Sequence, residues 1–238
     1  MDIGSLDTMG IPWRSSPVHK VLHQTPRIVS FIRWVEARET MRLNRIEYAL
    51  MNNPVRAAIQ RHFEAARLIR MGGPIEGGAA LEMGCGRGVG AELILDLFGA
   101  GTVDAFDLDP RMVALSRERL GPRGSRARFW VGDVTSIPVP DSIYDAVFDF
   151  GIVHHVPRWR LALAEVRRVL KPGGRFYAEE VLGRFIRHPF VRLLLDHPQN
   201  DRFNQDAFSA ALSEAGLKPL CTRALWGSFA WFVANKPV

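Results

Sequence analysis

The chain has 238 residues, 47% of them hydrophobic and 24% charged, which suits one globular domain or one domain with a short extension. That much apolar material excludes a disordered chain, the 21 Gly and 15 Pro show no collagen-like or low-complexity period, and 2 Cys exclude a disulfide scaffold. No apolar run approaches the roughly 18–20 residues that cross a bilayer, and MDIGSLDTMGIPWRSS lacks the positive start and apolar block of a leader, so a cytoplasmic location is expected.

The net charge is +6, and its excess is local. Residues 1–75 hold 11 Lys+Arg against 6 Asp+Glu, and the remainder 20 against 19. Such a basic segment suits nucleic acid, anionic lipid or an acidic substrate, or is a solvated helix face.

In chain order, residues 1–25 carry Pro12 and Pro17 and read as an arm. From Pro26, the apolar residues Ile28, Phe31, Ile32 and Val35 recur with helical spacing. Asn53-Pro54 starts a second helix, whose apolar stripe is Val55, Ile59, Phe63, Ala66 and Ile69. Gly72-Gly73-Pro74 ends it. Residues 1–75 are therefore expected to form an arm and helical cap, and 76–238 a second domain.

From residue 79, strands and helices alternate. Strands are expected at 79–83, 102–106, 127–131, 144–150 and 175–180, with two closing strands in LKPLCTRA and FAWFVANK. Helices are expected at 89–98, at 110–120 capped by Asp109, at 158–170 and at 204–216. This alternation predicts an α/β fold with a doubly wound, mostly parallel sheet.

The most informative segment is AALEMGCGRGVG, residues 79–90. A strand runs through Gly84, Gly86 and Gly88 into a helix, and glycines there let a ligand approach the backbone and the helix N-terminus. Val89 stands where a dinucleotide fingerprint needs its last Gly, which argues against a nicotinamide oxidoreductase, and no Gly-Lys-Ser/Thr follows as in a P-loop. Asp107 ends the next strand, placed for the ribose hydroxyls of an adenosine. Asp133 ends the third, placed for an adenine amino group. YDAVFDFGIVHHVP carries the fourth into the same crevice.

Those four features in order resemble class I S-adenosylmethionine-dependent methyltransferases of the small-molecule and lipid-quinone type. The resemblance covers residues 75–180 and 204–236, and it implies a seven-stranded Rossmann-like sheet whose last strand is antiparallel. It implies S-adenosyl-L-methionine as cofactor, held by Glu82, Gly84, Cys85, Gly86 and Gly88 in the first motif. Asp107, Leu108 and Met112 would follow in the second, Asp133 and Val134 in the third, and Asp149 and Phe150 in the fourth. At Asp149-Phe150 many relatives have small or hydroxylated residues, and backbone carbonyls can make the contact instead.

Methyl transfer is an in-line displacement from a sulfonium, so positioning and water exclusion supply most of the acceleration, and a base is needed only for an acceptor that holds a proton. His155 is the favoured pocket-facing catalytic residue, with Val153 and Val156 as packing; both His154 and His155 as structural loop residues is the plainer reading. Glu179 and Glu180 end the fifth strand, either touching the acceptor or solvated. No Cys/His cluster has metal-ligand spacing, and the adjacent His154 and His155 are expected to point their rings apart. Cys85 reads as packing and Cys221 as core.

The acceptor is expected to be a small or lipid-like hydrophobic molecule, covered by the cap and by residues 181–203. That segment mixes Phe185, Ile186, Phe190 and Leu193–Leu195 with Arg184, Arg187 and Arg192, which suits an acidic head or peripheral contact with an anionic membrane. A nucleic-acid-binding methyltransferase and a catalytically idle cofactor-binding regulator are the rival readings.

Overall fold

The computed structural model describes residues 53–187 and 202–238. The arm at 1–25, the helix expected from Pro26 and most of the apolar-Arg segment at 181–203 lie outside the described residues.

Helix α1 begins where Asn53 caps Pro54–Ile59, its Oδ1 accepting the Arg56 amide at 2.9 Å. It passes through a π-helical turn at Gln60–Ala65 and resumes over Ala66–Gly72. The expected stripe is not the buried face, and its Ala66 and Ile69 are only partly buried. Val55, Ile59 and Phe63 are exposed, while Gln60, Glu64, Ala65 and Leu68 are buried. The wider π turn takes more residues per revolution, so the inward face shifts away from the regular helical spacing.

The strands are β1 (Ala79–Met83), β2 (Thr102–Asp107), β3 (Ala127–Val131), β4 (Tyr144–Phe150), β5 (Leu170–Val181), β6 (Lys218–Leu225) and β7 (Phe229–Asn235). They form one seven-stranded sheet in the order β3-β2-β1-β4-β5-β7-β6. The first five strands pair in parallel, and β7 is antiparallel to both β5 and β6. β5 starts earlier than expected, with a register shift that absorbs Pro172-Gly173-Gly174 beside Tyr144. β6 is an edge strand, so Cys221 is partly exposed and not a core residue.

The helices after α1 are α2 (Val89–Asp96), α3 (Pro110–Leu120), α4 (Trp159–Val169), α5 (Gly183–Ile186) and α6 (Gln205–Glu214). Asp109 caps α3 as expected, accepting the Arg111 amide at 2.9 Å. One sheet face carries Phe148, Tyr177 and Trp231 against α1 and α2. Tyr177 lies parallel to Phe148 at 4.8 Å and edge-on to Phe98 at 5.3 Å, and its hydroxyl donates to the Gly73 carbonyl at 2.8 Å. Phe63 meets Trp231 edge-on at 5.8 Å. On the opposite face Phe208 of α6 sits between Trp159 of α4 and Phe232 of β7, at 5.7 and 4.6 Å. Both faces are therefore closed, and the C-terminal strand ends are where a crevice can open. Among the described residues no helix is long and apolar enough to cross a membrane.

Candidate active site

The turn from β1 to α2 is built by three glycines with positive φ: Gly84 at 71°, Gly86 at 48° and Gly88 at 80°. A Cβ on Gly84 would lie 2.4 Å from Ile152, and one on Gly88 would lie 2.7 Å from Leu120, whereas one on Gly86 would meet nothing within 4 Å. Gly84 and Gly88 thus serve packing, and Gly86 is the position whose missing side chain leaves open space. Cys85 is buried, with Ser116 Oγ donating to its Sγ at 3.3 Å, and burial pushes its thiol up, out of the nucleophilic range.

Asp107 organises the edge. Its Oδ2 accepts the Gly86 amide at 3.0 Å and its Oδ1 the Asp109 amide at 2.9 Å. Its carbonyl accepts the Gly132 amide at 3.0 Å, which ties in the turn that carries Asp133. Asp133 Oδ1 in turn accepts the Thr135 amide and hydroxyl, each at 2.8 Å. Met112 and Val134 are buried beside this edge, and Leu108 is partly exposed.

Glu82 lies fully under α2, with its Oε2 buried and unpartnered. Burial pushes its carboxyl well above the usual range, the nearby Asp107 charge adds to this, and a bond from the Ala91 amide opposes it. A Cβ on Gly90 would lie 1.8 Å from Glu82 Oε1 and 2.7 Å from Phe150. Gly90 is thus a requirement of the site that the motif spacing did not flag.

On the opposite face, Asp149 is fully buried; Oδ1 accepts the Ile152 amide at 2.9 Å, and its carboxyl is hydrogen-bonded to Glu180. Burial and the neighbouring Glu180 charge hold it protonated well beyond the usual carboxylate range. Glu180 Oε1 accepts the Val153 amide at 2.8 Å, and its Oε2 takes His154 Nδ1 at 2.6 Å. Burial keeps the His154 ring neutral by pushing its pKa down.

This corrects two expectations. Glu179 and Glu180 are buried, not solvated. The His154 and His155 rings do not point apart: in the short turn Val153–His155 their centroids are 4.2 Å apart. His154 is the buried member and His155 the partly exposed one, while Val153 and Val156 are buried as expected. A third group was invisible in the sequence. Arg56 and Glu64 of α1 form an ion pair, and Arg56 Nη2 also reaches Glu179 Oε1 at 3.5 Å. Among the described residues no group of three His, Cys, Asp or Glu is arranged to hold a metal ion.

Residues 81–178 match the methyltransferase domain family. Over 124 residues the chain is 36% identical to a fatty-acid O-methyltransferase of Mycolicibacterium smegmatis, covering 52% of this chain and 44% of that protein. Over 80 residues it is 45% identical to the ubiquinone/menaquinone biosynthesis C-methyltransferase UbiE of Methylobacterium nodulans, covering 33% of this chain and 31% of that one. The chain thus spans less than half the length of these curated relatives. A SAM-dependent methyltransferase from Aquifex aeolicus superposes with a TM-score of 0.65 at 17% identity, over 82% of this chain and 100% of the other, which is a likeness of fold. The glycine turn at the β1–β4 switch point, the strand order and the match agree, and residues 81–178 are a methyltransferase domain of the class I S-adenosylmethionine-dependent type.

Proposed function

We propose that this protein transfers a methyl group from S-adenosyl-L-methionine to a small, hydrophobic or lipid-like acceptor. The observation that carries the reading is the Gly86–Asp107 arrangement: a backbone turn open at Gly86, held by a carboxylate at the end of the adjacent strand. The residues present fit the cofactor. Glu82 Oε2 is a buried acceptor in want of a donor, which the methionine ammonium would supply. Asp107 has lone pairs beyond the two amides it accepts, enough for ribose hydroxyls. Asp133 and Val134 would border the adenine, with Leu108 and Met112 beside the adenosine. Gly84, Cys85 and Gly88 would shape the turn, and Asp149 and Phe150 the floor. When bound, the cofactor supplies an activated methyl group on sulfur.

In this reading residues 76–238 are the cofactor-binding domain, with 1–75 as its arm and cap. His155 faces the acceptor side of the β4 loop, and its neighbour His154 is fixed by Glu180. The lipid-like acceptor is supported by the apolar character of Phe185 and Ile186 after β5, and by relatives named for a fatty acid and a quinone. The test is incubation of the protein with isotope-labelled methyl donor and a lipid and metabolite extract, followed by mass spectrometry. Label in an apolar product that is absent with Gly86→Val supports the reading; label only in RNA or protein overturns the acceptor class, and no cofactor binding overturns the whole.

A further inference from the structure

Resting on that reading, we infer that Glu179, with Glu64 and Arg56 behind it, is the proton acceptor for an acceptor hydroxyl, so that the substrate carries its methylated oxygen as O–H and not as a carboxylate. Glu179 stands in register with Phe150, the last residue of β4, at the C-terminal edge of the sheet. Phe150 in turn lies against Gly90 and Glu82, so it separates the cofactor turn from Glu179. The edge therefore has a cofactor side at Glu82 and, one strand further on, a second buried acid.

That acid is incompletely partnered. Glu179 is 6% exposed, and its Oε2 is buried with no hydrogen-bond partner. Directly opposite in the β5–β7 pairing is Trp231, whose Nε1 is also buried and unpartnered. One face at one strand end thus presents an unused acceptor and an unused donor. A hydroxyl satisfies both, giving its proton to the carboxylate oxygen and accepting from the indole N–H. A carboxylate ligand has no proton to give to Glu179 and would meet the Glu179 and Glu64 acids.

The charged groups on Glu179's face are Arg56, Glu64 and Arg67 of α1, Arg67 lying 4.3 Å over the Trp231 ring; Glu180 acts on it through the strand from the other face, and β4 and β7 contribute the uncharged Phe150 and Trp231. Burial and the Glu64 charge push the Glu179 carboxyl well above its usual range, with Arg56 opposing them. Its ionised form is therefore the stronger base. As the acceptor oxygen forms its bond to the methyl carbon, the S–C bond breaks with its electron pair left on sulfur, and the hydroxyl proton passes to Glu179.

The experiment compares 4-hexylphenol with 4-hexylbenzoate, which share a body and differ in head group. Calorimetry without any methyl donor is expected to show the phenol binding at least tenfold more tightly; equal or tighter benzoate binding overturns the proposal. With donor present, Glu179→Gln is expected to lower kcat for the phenol about 100-fold or more, with KM and cofactor affinity within threefold. An unchanged kcat, or no transfer to the phenol by a wild-type protein that binds cofactor, overturns it. Glu64→Gln removes a charge that holds Glu179 protonated, so the acid limb of the rate profile should move to lower pH. A purely structural Glu64 would leave that limb in place. Failure of cofactor to bind the wild-type protein is a separate result, which counts against the methyltransferase reading alone.

Discussion

Oδ2 of Asp107 accepts the backbone amide of Gly86 at 3.0 Å. The glycine turn after β1 and the end of β2 are therefore one unit. The Gly132 amide on the Asp107 carbonyl, also at 3.0 Å, adds the turn after β3. Three strand ends thus take their relative positions from one acidic residue.

Asp107→Ala should weaken S-adenosylmethionine binding by about 10- to 150-fold, the equivalent of losing a charge-assisted hydrogen bond worth roughly 1.5–3 kcal/mol. Asp107→Asn keeps an acceptor for Gly86 and should fall between. Titration calorimetry decides; an affinity within twofold of the native protein for the alanine variant would remove Asp107 from the cofactor site.

Two glycine variants should fail in different ways. In Gly86→Ala the added Cβ enters open space at a φ of 48°, so the fold survives a strain of about 1–2 kcal/mol while cofactor affinity drops at least tenfold. In Gly90→Ala the Cβ would fall 1.8 Å from Glu82 Oε1, and overpacking of this kind costs about 1–3 kcal/mol. Denaturant unfolding with and without cofactor separates them. A Gly90 variant as stable as the native protein would mean that α2 is free to move off β1.

Cofactor binding should release a proton. Burial holds the Glu82 carboxyl well above its ordinary range in the free protein, and an ammonium group beside Oε2 favours the ionised form. Between the lower bound-state value and the higher free-state value, binding expels that proton. Affinity should therefore rise with pH through this window and level off above the free-state value. Binding enthalpies in phosphate and Tris buffers should differ, and Glu82→Gln should remove most of that difference. Identical enthalpies in the two buffers would count against an ammonium partner for Glu82.

Glu180→Gln should loosen the β4 loop. The Gln amide presents one N–H₂ where the carboxylate accepted the Val153 amide and the His154 ring, which leaves a buried donor unmet at a cost of about 1–3 kcal/mol. A lowered Tm together with a changed His154 ring-nitrogen NMR signal is expected. An unchanged ring signal would show that Glu180 does not set the His154 tautomer.

The local code was legible from residues alone. Alternating apolar runs, the Asn53 and Asp109 caps and the three glycines located the elements, because period, capping and positive φ are short-range demands. The order of Glu82, Asp107, Asp133 and Asp149 along successive strands carried the candidate site, because strand C-termini in a parallel sheet share one edge. What tertiary structure decided is which of these groups meet. The π turn at Gln60–Ala65 turned Glu64 inward and Phe63 outward against the regular helical spacing. The pairing of β5 with β4 and β7 set Glu179 beside Phe150 and Trp231 and turned Glu180 to the other face, toward His154. Burial and charge pairing depend on neighbours distant in the chain, such as Arg56 and Glu179, and no local pattern encodes them.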